Sequence, residues 1–146
     1  MNEIKKIVTL GEIMMRLSTP DNARFTQATS LNILYAGSEA NVAASLALFG
    51  VDATHVTRFP DNDWGVAATQ MLRKLGVDTS CILYGPGRMG LYFLENGSMQ
   101  RSSRILYDRF DSAFAHIKPG SVNWDKVFHD ASWFRRAGIG RDSPTR

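Results

Sequence analysis

Tyr35-Ala36-Gly37-Ser38-Glu39-Ala40-Asn41-Val42-Ala43, continuing to Leu48-Phe49-Gly50-Val51, is the stretch where a strand should hand over to a helix. From Ser38 to Phe49 the apolar residues Val42, Leu46 and Phe49 recur at helical spacing, and Ala40, Ala43, Ala44 and Ala47 keep the helix slim. Ser38 is placed to cap it and Gly50 to end it. A glycine at such a junction, Gly37, lets a ligand approach the backbone, and the helix start presents unpaired amide donors. Asn41, one turn in, offers a donor and an acceptor to hydroxyl groups, a mixture that suits a polyol. A well-capped helix with Asn41 merely exposed fits these residues equally well.

On the upstream side, Ile4–Leu10 is a short apolar run ending at Gly11, and it reads as a buried strand of a parallel sheet. Ile13–Ser18 extends it or forms a second strand, closed by the turn Thr19-Pro20-Asp21-Asn22. Phe25–Tyr35 is mixed and could supply short exposed strands. Downstream, Ala53–Phe59 is the next strand. Asn62 or Asp63 then caps a helix carrying Val66, Met71, Leu72 and Leu75, stopped by Gly76. This β–α–β–α order predicts an α/β sheet with helices packed on it. After Ser80 the rhythm changes. Cys81–Tyr84, Gly90–Leu94 and Gln100–Phe110 read as strands between Gly-rich turns, with Glu95-Asn96-Gly97-Ser98 the strongest hairpin signal. A helix at about Asn123–His129 and a strand near Ala131–Phe134 follow.

Composition limits the functions to consider. The 146 residues suit one sizeable core, and 44% hydrophobic with 21% charged residues is an ordinary globular balance. No apolar run approaches the ~20 residues of a membrane helix, and the first residues lack a signal-peptide pattern, so the expectation is a cytoplasmic protein with no membrane partner. The lone Cys81 excludes an internal disulfide, and no His/Cys cluster has zinc spacing. Residues 1–134 hold 13 Lys or Arg and 13 Asp or Glu, which cancel. The net charge of +3 therefore sits in the last twelve residues, where Arg135, Arg136, Arg141 and Arg146 face Asp142. No basic stripe crosses the body, so nucleic acid is not the expected partner.

Gly85-Pro86-Gly87-Arg88-Met89-Gly90 spells G-x-G-x-x-G, but Leu91-Tyr92-Phe93-Leu94 favours a strand where a dinucleotide fold needs a helix. A Gly-rich hairpin connection is the better reading.

The stretch Tyr35–Val51, the preceding Leu10-Gly11-Glu12, and Val56-Thr57-Arg58-Phe59-Pro60-Asp61-Asn62-Asp63-Trp64-Gly65 resemble the pattern of the ribokinase (PfkB) family of carbohydrate kinases. Leu75-Gly76-Val77-Asp78-Thr79 continues the likeness, while Gly90–Leu94 and Ile105-Leu106-Tyr107-Asp108-Arg109 narrow it to the 2-keto-3-deoxygluconate kinases. The resemblance spans residues 4–134. It implies the N-terminal part of a three-layer α/β sandwich over residues 1–134, with a small β lid built near 12–36 and 88–110, and a basic tail at 135–146. It further implies a sugar acid bound between the layers and the lid, with a second subunit pairing through the lid. Carried onto matching positions, Gly37, Ser38 and Asn41 would line the sugar, with Tyr92, Tyr107 and Arg109 reaching it from the lid. Many relatives carry a second glycine where Ser38 stands.

Alternation along a strand sets Ile105, Tyr107 and Arg109 on one face. A guanidinium beside a phenol suits a keto acid, because Arg forks onto a carboxylate while Tyr packs on carbon and bonds a hydroxyl. A surface Arg109 paired with Asp108 or Asp111 is the competing reading. Arg16 could also face the sugar.

The family uses ATP and magnesium, with a Gly-Ala-Gly-Asp segment and an Asn-x-x-Glu motif carrying base and metal chemistry. Neither motif occurs in these 146 residues, so catalytic, nucleotide-binding and metal-binding residues are expected to be absent from this chain. The sequence thus predicts a sugar-kinase fragment for 2-keto-3-deoxygluconate or a related sugar acid. The alternative is a non-catalytic product that binds a sugar acid or associates through its lid.

Overall fold

The computed structural model describes residues 6–136. Three parallel strands form the central sheet: β1 (Ile7–Leu10), flanked by β4 (Ala53–Val56) on one side and β9 (Trp133–Arg136) on the other. Ile4, Lys5 and the tail from Ala137 onward lie outside the described residues. On one face of the sheet lies helix α1 (Ser38–Leu48), against both β1 and β4. Helix α3 (Trp124–Phe128) covers the other face, where Val127 and Val122 pack on Val8 and Val56. Helix α2 (Asp63–Lys74) contributes Ala68 and Leu72 to the larger core on the α1 side, with Phe59, Ala40 and Ala43. That is a three-layer α/β arrangement.

The expected strand over Ala53–Phe59 is broken at Thr57 into β4 and β5 (Arg58–Pro60), and β5 pairs in parallel with β6 (Leu83–Gly85). Gly90 leads into a strand, not a helix, against dinucleotide binding at the Gly-rich turn, and the turn joins β6 to the strand Leu91–Glu95 of another sheet instead of closing the expected hairpin.

The lid is a separate sheet of order β3-β2-β7-β8, where β2 is Met14–Ser18, β3 Asn32–Ala36, β7 Leu91–Glu95 and β8 Arg104–Asp108. The turn of its β7–β8 hairpin differs from the sequence expectation. It closes between Ser98 and Arg101, which exchange backbone hydrogen bonds of 3.0 and 2.8 Å around Met99 at φ 50°. Asn96 instead donates from its side chain to the backbone carbonyls of Thr19 and Asp21, tying the hairpin to the β2 exit.

Helix ends follow elementary capping chemistry with one exception. Asn62 caps α2 by accepting from the amides of Trp64 and Gly65, at 3.1 and 3.3 Å. Gly50 and Gly76, both at φ 82°, end α1 and α2. Ser38 does not cap α1. Gly37 occupies that position without a side-chain bond, and the Ser38 hydroxyl donates to Glu39 Oε1 at 2.8 Å. The face of α1 also differs from the large-residue stripe. Ala40 and Ala43 are buried in the core and Leu46 packs against it, while Phe49 is exposed, because a small-residue face lets the helix sit close to the sheet.

A polar pair lies beneath β1 and β4. Thr9 Oγ1 is 2.7 Å from His55 Nδ1, with both residues fully buried. Burial pushes the His55 pKa down to about 4, against an opposing pull from the backbone of Gly11. The unfolded chain, with an ordinary histidine, therefore binds more protons than the folded one between pH 6.5 and 4. Stability contributed by neutral His55 is fully present above pH 6.5 and drains away as pH falls toward 4. The loss approaches about 3 kcal/mol. Denaturant unfolding across this range should show it, and His55→Asn should flatten the profile; an unchanged slope in the variant would refute the assignment.

Candidate functional site

Four chain crossings join the lid to the α/β body, and they converge on one loop. Leaving β1, the chain passes Gly11 and Glu12 before entering β2. Gly11 has no room for a side chain, since an added Cβ would stand 2.5 Å from Glu39 Oε2. Glu39, in the first turn of α1, is itself buried, where its negative charge complements the helix start. Gly37 is equally constrained, because an added Cβ would run into the backbone carbonyl oxygen of Glu12.

The carboxylate of Glu12 points toward the lid. Oε2 lies 2.8 Å from Nη2 of Arg109, just past the end of β8. Oε1 accepts from the Ser112 hydroxyl at 2.6 Å, and an added Cβ on Gly90 would stand 2.6 Å from the same oxygen. The Glu12 side chain is only 7% exposed, whereas that of Arg109 is 34% exposed.

Arg109 pairs with Glu12 and not with Asp108 or Asp111, the surface partners considered for it, and those two have partners of their own. Asp108 is held by Arg88 at 2.8 Å, and Asp111 is 2.6 Å from His116 Nε2.

Register across the lid then places the tyrosines. Leu34, Arg16, Tyr92 and Tyr107 are directly paired from strand to strand, so their side chains form a row on one face. The Tyr92 and Tyr107 rings stand 5.9 Å apart between centroids. Arg16 joins that row with its Nε buried and, among the described residues, without a hydrogen-bond partner. The adjacent row on the opposite face is apolar: Ile33, Leu17, Phe93 and Leu106, with Ile33 and Leu106 exposed.

The structure thus brings Gly37 and Arg109 together through one residue, and Tyr92 beside Tyr107. Ser38 and Asn41 stand exposed on the first turn of α1, and no side-chain hydrogen bond joins them to the lid among the described residues. Glu12, Glu39 and Ser112 were not singled out from sequence. The available signal was an acidic residue straight after the Gly that ends a buried strand.

A cleft of about 640 Å³ lies elsewhere, lined by Arg58, Tyr84, His116 and Lys118 among others, and includes none of the expected sugar-site residues. Among the described residues no three His, Cys, Asp or Glu side chains gather where a metal ion could be held. No helix among them is long and apolar enough to cross a membrane.

These features coincide with a family. The pfkB family carbohydrate kinase model matches residues 4–138, and the chain belongs to that family. Among relatives, the 2-dehydro-3-deoxygalactonokinase of Haloferax volcanii is 35% identical over 92% of this chain and 42% of its own length. Among solved structures, the 2-dehydro-3-deoxygluconokinase of Thermotoga maritima superposes with a TM-score of 0.91 at 48% identity, covering 93% of this chain and 42% of that one. A sugar kinase from Pyrococcus horikoshii, solved in complex with ATP, shares the fold at 23% identity and a TM-score of 0.75, over 83% of this chain and 39% of its own. The chain thus spans about two fifths of the length of the relatives it matches.

Proposed function

We propose that this chain supplies the sugar-acid-binding part of an ATP-dependent kinase for 2-keto-3-deoxygluconate or a closely related keto acid. The observation that carries the reading is Arg109, two residues beyond Tyr107 of the Tyr92–Tyr107 pair and tethered at one edge to a buried carboxylate. A guanidinium has five donors in a fork, so one edge can pair with Glu12 while another takes the carboxylate of a ligand. The phenols offer hydroxyl partners and flat surface for the carbon chain. Gly37, Ser38 and Asn41, at the start of α1, are the proposed polyol side of the site. The similarity to a 2-dehydro-3-deoxygalactonokinase of Haloferax and a 2-dehydro-3-deoxygluconokinase of Thermotoga supports a keto-acid substrate over a neutral sugar. The exposed Ile33 and Leu106 at the two ends of the apolar row support pairing with a second copy through the lid.

The test is a chimaera joining residues 1–134 to the part of the Thermotoga maritima kinase that follows its matched region. It should phosphorylate 2-keto-3-deoxygluconate from ATP in preference to fructose, and sediment as a dimer. A chimaera that prefers fructose would overturn the keto-acid assignment, and a monomer would overturn lid pairing.

A further inference from the structure

The binding residue of this proposed site has a support that the expected site residues do not include. We propose that Glu12 is the positioning residue for Arg109, holding the guanidinium at the junction of lid and body with one edge presented to the ligand carboxylate. The inference rests on the proposed sugar-acid reading and deepens it.

Three observations point to Glu12. First, it sits at the convergence of all four lid–body crossings: its own β1–β2 link, Gly37 before α1, Gly90 before β7, and Arg109 with Ser112 after β8. The approach at Gly37 is to its backbone and that at Gly90 to its side chain, so its position is fixed from two sides. Second, the pair is asymmetric. The carboxylate is almost wholly buried while the guanidinium is one-third exposed, as expected if the first is scaffold and the second meets a ligand. Third, the nearby acids are otherwise engaged, Asp108 by Arg88 and Asp111 by His116. Among the described residues Glu12 is the only ionic partner of Arg109.

The physical consequence is preorganisation. A free arginine side chain samples many rotamers and must be ordered when a ligand binds, so ordering it in advance removes that cost from binding. Ser112 completes the device by occupying the second carboxylate oxygen, which keeps the first aligned on Nη2.

The experiment uses the 146-residue chain, labelled with ¹⁵N, and follows the Arg109 Nε–H and Nη–H signals, assigned by their loss in Arg109→Lys. The same samples are titrated with 2-keto-3-deoxygluconate and with its methyl ester, which keeps the hydroxyls but lacks the charge. Glu12→Gln preserves shape and removes the ionic tether. It should average the Arg109 guanidinium signals in the ligand-free chain, weaken the keto acid by about tenfold, and leave the ester nearly unchanged. Ser112→Ala, which leaves both charges in place, should produce the same selectivity at smaller size, and it serves if Glu12→Gln does not fold. Unaltered Arg109 signals in both variants, or equal losses for the two ligands, would overturn the proposal, as would a wild-type chain that binds neither. Arg109→Ala separates the two levels. If it is selective for the keto acid and Glu12→Gln is not, the positioning role alone fails; if Arg109→Ala is unselective, the sugar-acid reading fails with it.

Discussion

Gly37→Val should lower the melting temperature of the chain by about 10 °C, the result of a loss of about 3 kcal/mol. The cause is a collision between two backbones. An added Cβ at Gly37 meets the carbonyl oxygen of Glu12, and a carbonyl cannot rotate aside as a side chain can. Either the β1–β2 loop or the start of α1 must move. Both carry the proposed site, so folding and ligand binding should fail together. Gly37→Ala, which adds only the offending carbon, should show most of the effect. Ser38→Ala is the control: its side chain is exposed and bonded only to the neighbouring Glu39, so it should stay within about 0.5 kcal/mol of wild type. A Gly37→Val chain that melts within a degree or two of wild type would show that the close approach is not maintained in solution.

Arg109→Ala should cost the keto-acid substrate roughly 10- to 150-fold in kcat/KM in the Thermotoga chimaera, the range expected for one charge-assisted contact of about 1.5–3 kcal/mol. The variant also removes the partner of Glu12, whose nearly buried carboxylate is left uncompensated. Part of any loss is therefore structural, falling on every substrate alike. Comparison with the methyl ester subtracts it. The drop shared by acid and ester measures disturbance of the junction, and the excess for the acid measures the contact. A twofold excess or less would remove Arg109 from the binding site.

How far the sequence alone leads can be judged from particular residues. Helix α1 was legible from its periodicity, but its buried face was not. Of the expected stripe Val42, Leu46 and Phe49, Leu46 packs against the core, but Ala40 and Ala43 are the buried residues and Phe49 is exposed, because hydrophobic size and closeness of packing pull in opposite directions. Asn62 was foreseeable as a cap since its bonds reach only two and three residues ahead. Ser38 looks like a cap by the same rule, but its hydroxyl has an acidic neighbour to bond instead. The Tyr92–Tyr107 pairing follows once a hairpin is placed between them, even though Asn96-Gly97 is not the tight turn itself. The pairing of Glu12 was beyond reach. Its partners lie about a hundred residues away, and nothing in a Gly-Glu pair says that Arg109 and Ser112 will be brought to it.

The composition of the lid has a consequence for the order of folding. Its central pairing joins β2 to β7, setting Met15 against Leu91, so the lid closes a chain loop that contains β3 to β6 and two helices. Closing such a loop carries an entropic cost that is repaid only after the intervening segment has become compact. The β1–α1–β4 unit has the shorter connection, so it is expected to form first, with β2 and β7 meeting afterwards. The proposed sugar site would then be assembled last, and a perturbation confined to the lid should quicken unfolding while leaving the rate of folding almost untouched.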